Sequence, residues 1–446
     1  MSQTVDYAKK IKSDSLSYNL HSWSPQAALD PMVITKAEGI YFWNAEGKRF
    51  FDMSSQLVNM NIGYGNKKVI EAIKDQAEKM PFMGPSFAVE ARSEAARKII
   101  EIAPDNMGKV FFTNSGAEAN ENAIKMARMV TGRNKILSGY RSYHGSTYGA
   151  ANLTGEKRRF PSEPGIAGFV KFFNPYAYRS PVEFKTEEEV TKYYLTLLKE
   201  QIEFEGPENI AAIFQESIVG SNGILIPPKG WMQGVRDLCD QHGIIMVCDE
   251  VMSGFGRTGE WFAINHWNVQ PDIITFAKGS TCGYIPLGGA IVSKKIAEFF
   301  NDNFLWCGLT YNGHLMGCAT ASATLDVYKE ENLLQRSKET GVILGEILES
   351  LKEKHACVGD VRYIGLFSAI ELVKDKTTKE ALVHGKDPEK IMKKILNILI
   401  SEGFWTYNHE NILMLAPPLI ITEAQLREAM EIMDKVLDYV DNIIAG

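Results

Sequence analysis

Lys278 is the residue whose setting most invites chemistry. It follows the apolar run 273–277 and precedes Gly279-Ser280. Such a run reads as a buried strand, and open α/β sheets bind ligands beyond the carboxyl ends of their strands. A lysine partly removed from water there loses proton affinity and becomes an amine able to form a Schiff base. A lysine merely solvated at a strand end is the plainer alternative. Asp249 closes a second apolar run, 243–248. Its carboxylate can hold a cationic heterocycle nitrogen such as a pyridinium, or it can act as a helix cap or structural ion-pair partner.

Two further segments have the right types for a phosphorylated, flat ligand. Thr113-Asn114-Ser115-Gly116-Ala117-Glu118-Ala119-Asn120 follows a strand at 110–112 and opens a helix running to about residue 130. Gly116 allows close backbone approach, Ser115 supplies a hydroxyl, and free N–H groups at a helix start attract phosphate. Plain N-capping by Asn114 or Ser115 is the other use of such residues. Tyr143, with His144 and Gly145, lies in the loop after a strand at 135–138. Its ring can stack on a planar cofactor or simply pack.

One motif points elsewhere. Gly254-Phe255-Gly256-Arg257-Thr258-Gly259 matches the glycine pattern of dinucleotide sites. Those glycines must lead straight into a helix, with an acidic residue ~20 positions on. Glu260-Trp261-Phe262 carries no helix signal, so nicotinamide binding is set aside. HExxH, P-loop and G-x-S-x-G patterns are absent from the sequence. The six cysteines show no CxxC or zinc spacing, so no metal site is expected and the thiols read as reduced, in a cytoplasmic protein.

The elements that must position these residues follow from the apolar pattern. Runs at 110–112, 136–137, 210–214, 244–248, 273–276 and 290–292 alternate with helical segments. Continuous rather than alternating apolar runs predict parallel strands covered on both faces, an α/β layered domain. The last part of the chain differs, with strands expected at 364–372 and 411–415 and a helix near 388–402. A closing helix after Thr422 is signalled by a capping box with Gln425. Its stripe is Leu426, Met430, Met433, Leu437 and Val440. Residues 41–44 and 49–51 read as a hairpin across Ala45-Glu46-Gly47.

Composition bounds the rest. The chain has 446 residues, 48 Lys+Arg against 55 Asp+Glu, and a net charge of −7. A mildly acidic surface argues against nucleic acid or anionic lipid as partner. Apolar content of 45% and charged content of 23% are those of an ordinary globular protein. No apolar run approaches the roughly 18 residues of a membrane span, and residues 1–19 show no secretory signal.

In that order, a phosphate-cradling turn, a stacking tyrosine, a strand-end aspartate and a strand-end lysine suit pyridoxal phosphate. The sequence resembles the class III (ω-amino-acid) aminotransferases of PLP fold type I over nearly its whole length. The markers are Gly63-Tyr64-Gly65-Asn66, Asn114-Ser115-Gly116-Ala117-Glu118-Ala119, Tyr143-His144-Gly145 and Asp249-Glu250-Val251. Further along stand the 254–259 motif, Ala277-Lys278-Gly279, Thr310-Tyr311-Asn312-Gly313-His314 and Pro417-Pro418-Leu419.

The resemblance implies an α/β large domain with a mostly parallel central sheet and helices on both faces, plus a smaller α+β C-terminal domain. It divides the chain into an N-terminal segment, 1–60, joining the small domain and the active-site rim, a large domain, 61–320, and a small domain, 321–446. It further implies that Lys278 forms the Schiff base with the cofactor and Asp249 pairs with the pyridine nitrogen. Tyr143 and Val251 sandwich the ring, with His144 beside them. Ser115, Gly116 and Ala117 hold the phosphate, and Glu216 closes the cofactor side of the substrate pocket. Thr310 is expected to reach the phosphate of a neighbouring subunit, hence a homodimer with shared active sites, alone or paired into a tetramer. Pyridoxamine phosphate would be the cofactor's intermediate form in a ping-pong cycle.

In overall pattern the chain looks closest to the taurine and β-alanine aminotransferase branch. Ornithine-type members carry an arginine shortly before Pro-Pro-Leu, and here that place holds Met414. Arg158 and Arg159 are then candidate cations for a carboxylate or sulfonate, with Arg158 the one assigned. Trp23 resembles the N-terminal aromatic that reaches the pocket, where its indole N–H can donate to an oxyanion. The expected reaction moves a terminal amino group from a taurine-like or β-alanine-like donor to an oxo acid, 2-oxoglutarate before pyruvate. The alternative is a lyase or aminomutase on the same scaffold.

Overall fold

The computed structural model describes every residue except Met1, His384, Lys386 and Gly446. The chain opens with helix α1 (Ser2–Tyr18) and a three-stranded meander, β1 (Ile34–Glu38), β2 (Tyr41–Asn44) and β3 (Arg49–Asp52). The expected hairpin is the β2–β3 pair, antiparallel with Tyr41 opposite Phe51. Its turn works because Gly47 takes φ +82°, a conformation that favours glycine. Short α2 (Ser55–Val58), then α3 (Lys67–Lys79) and α4 (Glu90–Ile102), lead to the central sheet.

That sheet is built in alternation: β4 (Met107–Thr113), α5 (Gly116–Thr131), β5 (Lys135–Gly139), α6 (Tyr148–Leu153), β6 (Phe169–Phe172), α7 (Glu187–Glu205), β7 (Ile210–Glu216) and α8 (Trp231–His242). It continues through β8 (Ile245–Asp249), β9 (Ile273–Phe276) and β10 (Gly288–Ser293) to helix α9 (Lys294–Asp302). The strand order is β4-β10-β9-β8-β7-β5-β6, and β10 runs antiparallel to both its neighbours while the others are parallel. Strands β7 to β10 are buried along their whole length, which is why their sequences read as unbroken apolar runs. Alternate side chains fall into two separate clusters. Ile213, Met246, Ile274 and Ile291 pack with residues of α7 and α8. Ala212, Val247, Ile273 and Ala290 pack with α5, α6 and α9. Both faces are covered, as the pattern predicts.

Beyond α10 (Leu315–Glu330) and the long α11 (Leu333–Lys354), a second sheet begins. Here the structure corrects the single strand expected at 364–372. The chain instead makes a hairpin, β11 (Val358–Ile364) and β12 (Phe367–Asp375), turning at Gly365 with φ +55°. Gly365 lies so near Gly341 of α11 that a Cβ on Gly341 would fall 2.5 Å from its carbonyl oxygen. The turn is therefore fixed by a tertiary contact, and apolar residues on both sides hide it from sequence. β13 (Glu380–Ala381), α12 (Ile391–Ser401), β14 (Phe404–Trp405), β15 (Tyr407–His409) and β16 (Ile412–Leu415) follow. β14 leaves this sheet and pairs parallel with β3, so the N-terminal meander is completed from the C-terminal part of the chain.

The final helix α13 (Glu423–Ala445) starts at the expected capping box. Thr422 Oγ1 accepts the Gln425 N–H at 3.3 Å and Gln425 Oε1 accepts the Thr422 N–H at 2.9 Å. All five residues of its predicted stripe are buried. Among the described residues no helix is long and apolar enough to cross a membrane.

Candidate active site

The parallel register sets the site. Glu216 at the end of β7 stands beside Asp249 at the end of β8, and Asp249 stands beside Thr275 of β9. Lys278 comes three residues later, in a single tight turn with φ +41°. A non-glycine residue held there is strained, the kind of backbone found where function fixes a side chain. These carboxyl ends, with the start of α5 and the loop after β5, enclose a cavity of about 380 Å³. Asn114 to Ala117, Tyr143 to Ser146, Glu216, Asp249, Val251 and Lys278 all line it.

Removal from water pushes the Lys278 amine down to about 8, against the nearby Asp249 and Glu216 charges and helped by Arg158. Asp249 is held on both oxygens. Oδ1 accepts the Val251 N–H at 3.0 Å, and Oδ2 accepts Asn120 Nδ2 and His144 Nδ1, each at 2.8 Å. Since a carboxylate only accepts, His144 carries its proton on Nδ1. The His144 Nε2 atom is buried without a hydrogen-bond partner among the described residues. Asn120 was given no role by the sequence reading. Its signal was the i, i+4 spacing from Gly116, which puts both on one side of α5.

At the start of α5 Ser115 acts as the N-cap. Its Oγ accepts the Glu118 N–H at 3.2 Å, while Glu118 Oε2 accepts the Asn114 N–H at 2.8 Å. That reciprocal cap leaves the N–H groups of Gly116 and Ala117, which have no intrahelical acceptor, free for an anion. Gly116 also faces Val251 so closely that a Cβ would lie 2.8 Å from it. At Gly145 (φ +137°) a Cβ would lie 2.6 Å from that of Ala117. The glycines make the cradle narrow.

Tyr143, in the loop after β5, forms part of the cavity wall. Its N–H donates to Glu216 Oε1 at 2.9 Å, and the Gly220 N–H donates to Glu216 Oε2 at 2.7 Å. Burial raises the Glu216 carboxyl, an effect that His144 and these donors only partly oppose. The Arg158 guanidinium lies over the Tyr143 ring, 3.7 Å from its centroid, with Trp23 edge-on to the same ring at 6.3 Å. Arg158 also bonds Glu156 and donates to Ser221 Oγ at 2.8 Å. Arg159 pairs instead with Glu163.

Three expected residues, Trp23, Arg158 and Thr310, are not among those lining the cavity. Thr310 is exposed and outside the cavity. Met414 is buried among Ile412, Phe367 and Ala369, so that place supplies no cation. The 254–259 motif forms a closed turn. Phe255 N–H donates to Trp261 O at 2.6 Å and Gly256 N–H to Glu260 O at 3.0 Å, and the motif opens no α-helix, only a short 3-10 turn at Ala263–Trp267 following it.

The arrangement suits a flat ring with an anionic arm at α5, a protonated ring nitrogen at Asp249 and a carbonyl carbon at Lys278. Comparison with known proteins gives the same direction. The family model "Aminotransferase class-III" matches residues 24–437. A taurine–pyruvate aminotransferase of Bilophila wadsworthia is 33% identical, covering 98% of this chain and 99% of its own. A putrescine–pyruvate aminotransferase of Pseudomonas aeruginosa is 33% identical, over 91% and 90%. The crystal structure of a taurine:2-oxoglutarate aminotransferase from Bifidobacterium kashiwanohense, in complex with PLP and glutamate, superposes with a TM-score of 0.95. It is 49% identical and covers 98% of each chain.

Proposed function

Since this chain belongs to the class III aminotransferases, PLP-dependent transaminases of fold type I, we propose that it moves the terminal amino group of a taurine-like donor to 2-oxoglutarate in a ping-pong cycle. β-Alanine is the neighbouring donor and pyruvate the second acceptor. The observation that carries the donor is the Arg158 guanidinium lying on the Tyr143 ring beside the cavity, with Trp23 against the same ring. A fork of N–H donors suits three sulfonate oxygens or a carboxylate. The similarity to the taurine:2-oxoglutarate enzyme supports the pairing.

The residues fit the cofactor: a cradle narrowed by glycines, a carboxylate held by three N–H donors and a lysine with lowered proton affinity. Pyridoxal 5′-phosphate, when bound, supplies a carbonyl carbon for amine exchange and an electron sink. In this reading the Gly116 and Ala117 N–H groups and Ser115 hold the phosphate, and Val251 and Tyr143 close on the two ring faces. Asp249, oriented by His144, keeps the ring nitrogen protonated. Lys278 would release the cofactor's carbonyl carbon to the donor amine, and its free Nζ would then take the proton from the amine-bearing carbon and return it to the carbon on the other side of the amine nitrogen. Glu216 fixes the Tyr143 loop. Arg158 and Trp23 bind the donor's acid group.

Residues 61–320 serve as the cofactor-binding domain and 321–446 as the small domain, with 1–60 joining that domain to the site rim. Thr310, outside its own cavity, completes the phosphate cradle of a second copy, making the working unit a homodimer or a tetramer built from it. Six free cysteines, five of them buried, support a cytoplasmic setting.

The test is a half-reaction on purified protein. Taurine, β-alanine, ornithine and 4-aminobutyrate are added separately while the visible band of the bound cofactor is followed. Loss of the band with taurine and its return with 2-oxoglutarate is the expected result. A band that responds only to ornithine or 4-aminobutyrate overturns the donor assignment, and ammonia release without an oxo acid identifies a lyase.

A further inference from the structure

Asn120 has no part in the chemistry described so far, yet its fully buried side chain is engaged on every side. Nδ2 donates to Asp249 Oδ2 at 2.8 Å and to the His144 carbonyl oxygen at 2.8 Å. Oδ1 accepts from Thr275 Oγ1 at 2.8 Å. Thr275 is the register neighbour of Asp249 across β8 and β9. The Asp249 carboxylate and the His144 carbonyl can only accept, so they fix which way the amide is turned, and Oδ1 is left to the Thr275 hydroxyl, which donates to it. Rotated the other way, the amide oxygen would meet Asp249 Oδ2, acceptor against acceptor.

Two consequences follow for Asp249. Three N–H donors, from Asn120, His144 and Val251, remove its freedom to swing. With Oδ2 engaged by two of them and Oδ1 by only one, Oδ1 keeps a lone pair for a further donor. Asn120 also stands one turn along the helix whose first N–H groups, on Gly116 and Ala117, face the cavity. A helix rises about 1.5 Å per residue and hardly stretches. A single rigid element therefore sets the separation between the anion cradle and the carboxylate.

We propose that Asn120 is a positioning residue of the cofactor site: braced by the Thr275 hydroxyl, it locks the Asp249 carboxylate onto the ring nitrogen and ties it to the helix that cradles the phosphate. The inference rests on the reading that Asp249 meets that nitrogen. A buried asparagine serving only the core would stabilise the apoprotein and do nothing more.

The experiment compares PLP-loaded wild type with Asn120→Ala, Thr275→Val and Asp249→Asn. Three quantities are read: the midpoint pH of the cofactor's visible band, the rate of PLP release, and the unfolding temperature of the apoprotein. For Asn120→Ala the band's midpoint should rise by on the order of half a pH unit, since a less firmly protonated ring withdraws less electron density from the attached lysine nitrogen. PLP release should quicken by roughly tenfold, the loss of one hydrogen bond to a charged group. Thr275→Val should shift both in the same direction by less. If Asp249→Asn moves band and release while the Asn120 and Thr275 variants leave them at wild-type values, the role assigned to Asn120 is wrong and Asp249 stands. If Asp249→Asn moves neither, the reading of Asp249 falls and the inference with it. Should Asn120→Ala fail to fold, Thr275→Val, which keeps the amide, decides alone.

Discussion

At the residue scale, the site is a set of ionisable groups whose environments push them in useful directions. A lysine amine at about 8 is partly neutral near physiological pH, where an ordinary lysine, near 10.4, is almost wholly charged. In the apoprotein, amine-selective labelling of Lys278 should therefore rise with pH around a midpoint near 8, which peptide mass spectrometry can follow. A midpoint in the ordinary lysine range would show that Lys278 is not desolvated. Arg158 presents its charge where a donor's acid group is proposed to sit. Arg158→Ala should raise KM for taurine roughly tenfold to a hundredfold, the loss of a charge-assisted hydrogen bond, with a smaller change in kcat. An unchanged KM sinks the donor assignment. Chemistry at these residues depends on desolvation as much as on residue type.

At the element scale, α5 and α6 place the groups that single residues cannot place alone. Because a Cβ at Gly116 would lie 2.8 Å from Val251, Gly116→Ala should strain the cradle by about 1–3 kcal/mol and slow PLP uptake. Stopped-flow absorbance during reconstitution checks this. The loop bearing Arg158 leaves the end of α6, and Lys171 of β6 holds that end. Its Nζ donates to Leu153 O at 2.7 Å and Ser138 Oγ at 2.7 Å, and to Asn152 O. Burial, reinforced by the Arg159 charge, lowers Lys171 to about 7. The unfolded lysine binds its proton up to the ordinary range, so between these values the unfolded state holds more protons and stability from this group rises with pH. Lys171→Met should remove that rise from the pH dependence of the unfolding temperature between 7 and 10. It should also speed amide exchange in the 154–160 loop, since the helix-end carbonyls lose their donor.

At the scale of the whole molecule, one buried cation joins distant parts of the chain. Arg257, at the centre of the glycine motif, is fully buried. It donates to Leu366 O at 2.9 Å, Pro417 O at 2.6 Å, Ser55 Oγ at 3.1 Å and Asn61 Oδ1 at 2.6 Å. Burial lowers it to about 10, yet it remains charged at neutral pH. The motif that imitates a dinucleotide turn is thus a knot between the N-terminal segment, the large sheet and the C-terminal sheet. Arg257→Leu should strip the donors from two backbone carbonyls and destabilise the protein by about 2–4 kcal/mol, lowering the midpoint of chemical unfolding. A midpoint within error of wild type would show that the four acceptors find other partners.

Much of this was legible in the sequence, and for stated reasons. Strands covered on both faces must be apolar throughout, so β7 to β10 announced themselves, and with them the strand ends bearing Glu216, Asp249 and Lys278. Local chemistry, such as the Thr422–Gln425 cap, was readable because its partners are three residues apart. What only the tertiary structure decided involves partners far apart in the chain. Asn120 reaches Asp249 and Thr275 across separations of 129 and 155 residues. Arg257 reaches residues on both sides of it at a greater distance still. Gly365 turns the chain between two apolar segments because α11 packs against it. Periodicity and capping are one-dimensional physics that a sequence carries in full, whereas the orientation of a buried carboxylate depends on which donors the folded chain brings round it.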